Sequence, residues 1–150
     1  MTLSPRLAAI VDALPLDSTS RVLEIGCGPG AAAREVARRV RHVLAIDRSP
    51  AAVRRATAAG AAEIAAGRLS VRCVAIEDLA LDPHDEPFDL AFAVRVGVLD
   101  GRHPADRALT AIAAALRPGG RLVVDGVERV SGVVAAPREG HDVEARSSGP

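Results

Sequence analysis

The segment VLEIGCGPGAA, residues 22–32, concentrates residues with chemical potential. A short apolar run reaches Ile25, and Gly26-Cys27-Gly28-Pro29-Gly30 then leads into an Ala-rich stretch. Glycines between a strand and a helix permit a sharp bend and let a ligand approach the main chain closely. Gly26, Gly28 and Ala31 satisfy the dinucleotide pattern G-x-G-x-x-A, and Asp47 lies near the distance expected for a carboxylate that holds a ribose. Two residues argue against a dinucleotide. Glu24, two positions before the first glycine, would repel a pyrophosphate but suits a cation such as an amino-acid ammonium. Pro29 removes a backbone N–H of the kind a phosphate cradle needs. The loop therefore fits a ligand with an amino-acid head and a ribose.

Parallel strands and helices must position these groups. Ser4-Pro5 is a helix start, and Leu7, Ile10, Val11 and Leu14 line one face of a helix over 4–14. Apolar strands are predicted at Arg21–Ile25, His42–Ile46, Leu69–Val74, Phe88–Val94 and Leu122–Val124. Between them, helices are expected over Ala31–Val40, from Ser49-Pro50 to about Ala66, and over Pro104–Leu116, the last stopped by Pro118-Gly119-Gly120. Residues 77–87 carry Pro83 and Pro87 and read as an irregular link or a single turn. Continuous apolar strands alternating with helices predict an α/β fold, a doubly wound, mostly parallel sheet of about five strands with helices on both faces. The pattern fades after Gly126. Residues 1–126 are thus expected to form the core and 127–150 a short, partly mobile extension, with any C-terminal antiparallel strands reduced or absent.

Composition narrows the function classes. The chain has 150 residues with 19 basic and 19 acidic side chains, and every basic residue is Arg. Zero formal net charge removes a general nucleic-acid coat. The absence of Lys excludes Schiff-base chemistry and a P-loop lysine. Phe88 and Phe92 are the only aromatics, too few for a base-stacking platform. The arginines from Arg34 to Arg55 read as solvated helix faces. No apolar segment is long enough for a membrane span, and no metal-ligand spacing occurs. Cys27 and Cys73 read as reduced thiols, with Cys27 a small residue tolerated in the loop, so a cytoplasmic protein is expected.

S-adenosylmethionine (SAM) carries an amino-acid head, a ribose and a sulfonium. VLEIGCGPG, LAIDRSP, FDLAFAV and LRPGGRLVV, in that order and spacing, resemble the successive motifs of class I SAM-dependent methyltransferases over about residues 20–126. The resemblance implies a Rossmann-like fold and SAM as cofactor. It implies that Glu24, Gly26, Cys27, Gly28 and Gly30 line the methionine part, with Glu24 reaching the ammonium. Asp47 would hold the ribose hydroxyls and Arg48 would lie beside the adenine. Ile76, Glu77 and Asp78 would meet the adenine edge, with either Glu77 or Asp78 accepting from the exocyclic amine. Ala93, Val94 and Arg95 would close strand four beneath the sulfonium.

The reaction implied is in-line attack on a sulfonium methyl, in which placement supplies much of the rate. No catalytic base stands in a recognisable motif; Asp100, His103 and Asp125 are candidates by position, each equally readable as a turn or cap residue. The sequence after strand four, AVRVGV, lacks the Asn/Asp-Pro-Pro-aromatic signature of base-amino methyltransferases. A small-molecule acceptor is therefore expected, with no nucleic-acid or membrane partner. A homodimer could complete the site, through the apolar helix 4–14 or an exposed sheet edge. Two other readings compete: a SAM-binding subunit with little or no catalysis, and a nicotinamide-dependent oxidoreductase, which Glu24 and Pro29 disfavour.

Overall fold

The computed structural model describes residues 3–99 and 105–129. Helix α1, Pro5–Ala13, begins where expected: Leu7 N donates to Ser4 Oγ at 3.2 Å and Pro5 occupies the first turn. Then follow β1 (Arg21–Ile25), α2 (Ala31–Ala37), β2 (His42–Asp47), α3 (Pro50–Ala59), α4 (Ala61–Ala65), β3 (Leu69–Cys73), β4 (Phe88–Ala93), α5 (Asp106–Ala115), β5 (Leu116–Val124) and β6 (Val127–Arg129). A single 3-10 turn, Ile76–Asp78, opens the irregular link between β3 and β4.

The six strands form one sheet in the order β3-β2-β1-β4-β5-β6. The first five run parallel and β6 returns antiparallel to β5. The chain winds outward from β1 to β3, then crosses back to β4 beside β1. Ligands of such sheets bind beyond the carboxyl ends of the strands at this reversal.

Strand alternation divides the core into two layers. Val22, Val43, Leu90 and Val123 face the side covered by α1, α2 and α3, whereas Leu23, Leu44, Ala91 and Leu122 face α5 and the 3-10 turn. Each fully buried Val, Leu, Ile or Phe contributes roughly 1.5–3 kcal/mol. Val11 of α1 and its C-cap residue Leu14 are buried in this chain's own core.

Three local expectations need correction. The helix expected from Ser49 to Ala66 breaks at Gly60, where a Cβ would lie 2.6 Å from Leu69 Cδ2 and 3.0 Å from Ala56 O. Helix α2 stops at Ala37 rather than Val40. Strand β5 begins at Leu116, so Pro118-Gly119-Gly120 lies inside it. The register there jumps from Phe88↔Leu116 to Leu90↔Arg121, an outward bulge that accommodates a proline with no amide to donate. The sixth strand brings residues 127–129 of the expected extension into the sheet; its remainder, with its expected mobility, lies outside the described residues.

Candidate functional site

The carboxyl ends of β1, β2 and β4 and the turn after β3 surround an open cleft of about 240 Å³. Ile25, Gly26, Ile46, Asp47, Arg48, Ile76, Glu77 and Arg95 line it, together with Val74, Ala75, Val96, Gly97 and Val98. Several residues singled out from sequence thus come together. Glu24, Cys27, Gly28, Gly30, Ala93 and Val94 sit in or behind the adjoining loops and strand ends rather than in the cleft wall. Asp100 and His103 lie outside the described residues.

Pairing explains the arrangement at the first bend. Glu24 stands opposite Ala45 of β2 and Phe92 of β4 in the register. It is 5% exposed, and its Oε2 has no hydrogen-bond partner. Burial, and secondarily the charge of Asp47, pushes its carboxyl from 4.5 up to about 8. A buried unpartnered carboxyl oxygen is costly in isolation and is a ready acceptor for a cationic donor.

Gly26 and Gly28 have φ of +68° and +52°. At Gly26 a Cβ would come within 2.6 Å of Val96 Cγ2, so only hydrogen fits between the bend and the segment after β4. At Gly28 a Cβ would meet nothing within 4 Å. The left-handed backbone there needs glycine, and the space beyond it is open to a ligand. Gly30, also left-handed, precedes α2 as its N-cap residue.

Asp47 ties two loops together. Gly28 N donates to its Oδ2 at 2.9 Å and Ser49 N donates to its Oδ1 at 2.9 Å. Each oxygen keeps a lone pair, so the carboxylate can accept two further donors. Cys27 N donates to Ile46 O at 2.9 Å, which closes the bend against β2. The Cys27 thiol is buried, and burial followed by the charges of Glu24 and Asp47 pushes it up to about 12. It is not a nucleophile at neutral pH.

The adjacent acids after β3 differ in their surroundings. Glu77 lines the cleft, whereas Asp78 is exposed and its Oδ1 lies 3.3 Å from Arg107 Nη2. Arg48 stands at the cleft's rim, and Cys73 Sγ lies 3.7 Å from its carbonyl oxygen.

The β4 side carries features that sequence reasoning did not assemble. Arg95 and Asp125 are the non-glycine residues with left-handed backbones among the described residues, with φ of 56° and 50°. For Arg95 such a conformation costs on the order of 1–2 kcal/mol, whereas Asp125 with Gly126 forms the two-residue loop between β5 and β6, where positive φ is ordinary. Asp125 N donates to Ala93 O at 2.9 Å, and Arg95 N donates to Asp125 Oδ1 at 2.8 Å. Asp125 therefore uses one of its oxygens to hold the backbone after β4. Val96, Gly97 and Val98 complete that wall; the apolar run VGV was the available signal. Among the described residues, no group of three His, Cys, Asp or Glu side chains is placed to hold a metal. No helix there is long and apolar enough to cross a membrane.

Residues 22–120 match a family described as "Methyltransferase domain". The chain is 37% identical over 127 residues to a ubiquinone biosynthesis O-methyltransferase of Xylella fastidiosa (strain 9a5c), an alignment covering 83% of this chain and 48% of that protein. It thus spans about half the length of the curated relatives it matches. Its fold is similar to that of a SAM-dependent methyltransferase from Thiobacillus denitrificans solved with S-adenosylhomocysteine (TM-score 0.65, 27% identity, 81% of this chain and 48% of that one). It is also similar to the cyclase SpnF (TM-score 0.66, 30% identity, 78% of this chain and 42% of that one).

Proposed function

Because the chain belongs to the class I SAM-dependent methyltransferases, we propose that it binds SAM and transfers the methyl group to a small-molecule acceptor. The observation that carries this reading is Glu24: a carboxyl buried at the end of β1, with one oxygen unpartnered, beside a glycine bend with open space at Gly28. These features fit the cofactor. The orphan oxygen suits an ammonium, the bend admits close approach to the main chain, and Asp47 has acceptor capacity left for two ribose hydroxyls.

Bound there, the cofactor would supply an electrophilic methyl on a positively charged sulfur. The chain's own residues bind and orient. Glu24 would meet the ammonium, whose charge favours the ionised carboxylate that burial disfavours. Asp47 would accept from the ribose while it holds Gly28 and Ser49 in place. Glu77, rather than the Arg107-paired Asp78, is the better acceptor for the adenine amine. Arg48 would flank the adenine, and Ile25, Ile46, Ile76 and Val96 would exclude water. Ala93 and Val94 would close β4 beneath the reacting centre. The two free cysteines support a reducing, cytoplasmic setting.

Calorimetric titration with S-adenosylhomocysteine and with NAD tests the reading. Saturable binding of the first and none of the second is expected. Saturation by NAD with no response to the sulfur nucleoside would overturn it.

A further inference from the structure

We infer that Arg95 is the anchor for an anionic group, a carboxylate or phosphate, on the methyl acceptor, and that Asp125 positions it. The inference deepens the proposed methyltransferase reading and rests on it.

Under that reading, the cleft's acids Asp47 and Glu77, and Glu24 buried behind its wall, are already engaged with the cofactor. They come from β2, the turn after β3 and β1, so they occupy one side. The β4 side is different in chemistry. Arg95 lines the cleft there with Val96 and Val98, and no acidic group lines that wall among the described residues. One cation set in an apolar wall selects a mostly apolar molecule with one negative charge.

The backbone gives a second, independent observation. A left-handed arginine is unfavourable and persists where the surroundings hold it. Here the hold is specific: Asp125, itself left-handed, donates its amide N–H to Ala93 O and accepts from Arg95 N on Oδ1. The link spans 30 residues of sequence and joins the ends of adjacent strands. It fixes the direction in which residue 95 leaves the sheet. A surface cation with only a solubility role needs no such support.

The test is calorimetry on the protein loaded with S-adenosylhomocysteine, using benzoate, phenyl phosphate and neutral benzamide as probes. Wild type is expected to bind at least one anion ten times more tightly than benzamide, and the stronger of the two anions distinguishes carboxylate from phosphate. Arg95→Gln is expected to remove that preference while its affinity for S-adenosylhomocysteine stays within twofold. Arg95→Gly relaxes the left-handed backbone, so it removes the cation without endangering the fold, and should behave alike. Asp125→Ala should weaken anion binding by at least threefold, and Asp125→Asn, which keeps an oxygen for the amide, should restore it. Equal or absent binding of the three probes to loaded wild type overturns the inference. So does a tenfold loss of S-adenosylhomocysteine affinity in Arg95→Gly, which would make Arg95 a cofactor contact. Failure of wild type to bind S-adenosylhomocysteine would instead sink the underlying methyltransferase reading.

Discussion

The two sides of the cleft are built by opposite means. On the β1–β2 side, a buried acid, left-handed glycines and a half-buried aspartate are tied together by short main-chain contacts. On the β4–β5 side, an exposed arginine and an aspartate adopt left-handed backbones, joined by one hydrogen bond from Arg95 N to Asp125 Oδ1. The first side relieves conformational strain by residue choice and concentrates electrostatic cost at Glu24. The second accepts backbone strain and leaves its charge in solvent. Under the proposed function, a cofactor shared by many enzymes suits the first kind of construction, and a variable acceptor suits the second.

Glu24→Gln tests that contrast most severely. The wild-type carboxyl is raised from 4.5 to about 8 in the folded state, so its neutral form favours folding fully below about 4.5. That contribution is lost as pH rises through about 8. The Gln variant lacks this loss. Urea unfolding without ligand should show the variant gaining on wild type between pH 5 and pH 9 by up to a few kcal/mol, while calorimetry shows weaker S-adenosylhomocysteine binding. Equal stability across that range would mean that the carboxyl is not held neutral by burial. Asp47→Ala should follow in size. It removes the acceptor for Gly28 N and Ser49 N as well as the proposed ribose contacts, and affinity should fall by more than tenfold. Unchanged affinity in a folded variant would remove Asp47 from the site. Cys27→Ser should do least, leaving affinity within twofold. With Cys27 buried and its thiol pushed up to about 12, iodoacetamide should label exposed Cys73 first in the native protein. Prior labelling of Cys27 would show that the bend opens in solution.

The first side was also the more legible from sequence. Gly26, Gly28 and Asp47 carry local signals: a strand end, a required backbone conformation, a carboxylate at a set distance. The parallel sheet followed from continuous apolar strands. Local signals fail where tertiary packing decides. The Ala-rich helix breaks at Gly60, where Leu69 and Ala56 leave no room for a side chain, and an isolated glycine in a helical pattern does not announce a break. Pro118-Gly119-Gly120 marks a stop, yet β5 takes it in as a bulge because Leu116 pairs with Phe88. Glu77 and Asp78 are indistinguishable in sequence and separate only through Arg107. Asp125-Gly126 does mark a hairpin turn, with φ of 50° and 81° between β5 and β6, but nothing local marks Arg95 as left-handed or pairs it with Asp125.

The missing side chain at position 26 has a consequence for how this protein can change. A hydrogen atom is all that separates the first bend from Val96, whose neighbour is Arg95, so the two walls behave like meshed gears. Substitutions at 26 and 96 should be epistatic: trimming Val96 creates room that a methyl at 26 can enter, though the backbone penalty remains. A lineage that acquires a new acceptor by remodelling the residues after β4 must keep a tooth that still fits the donor loop.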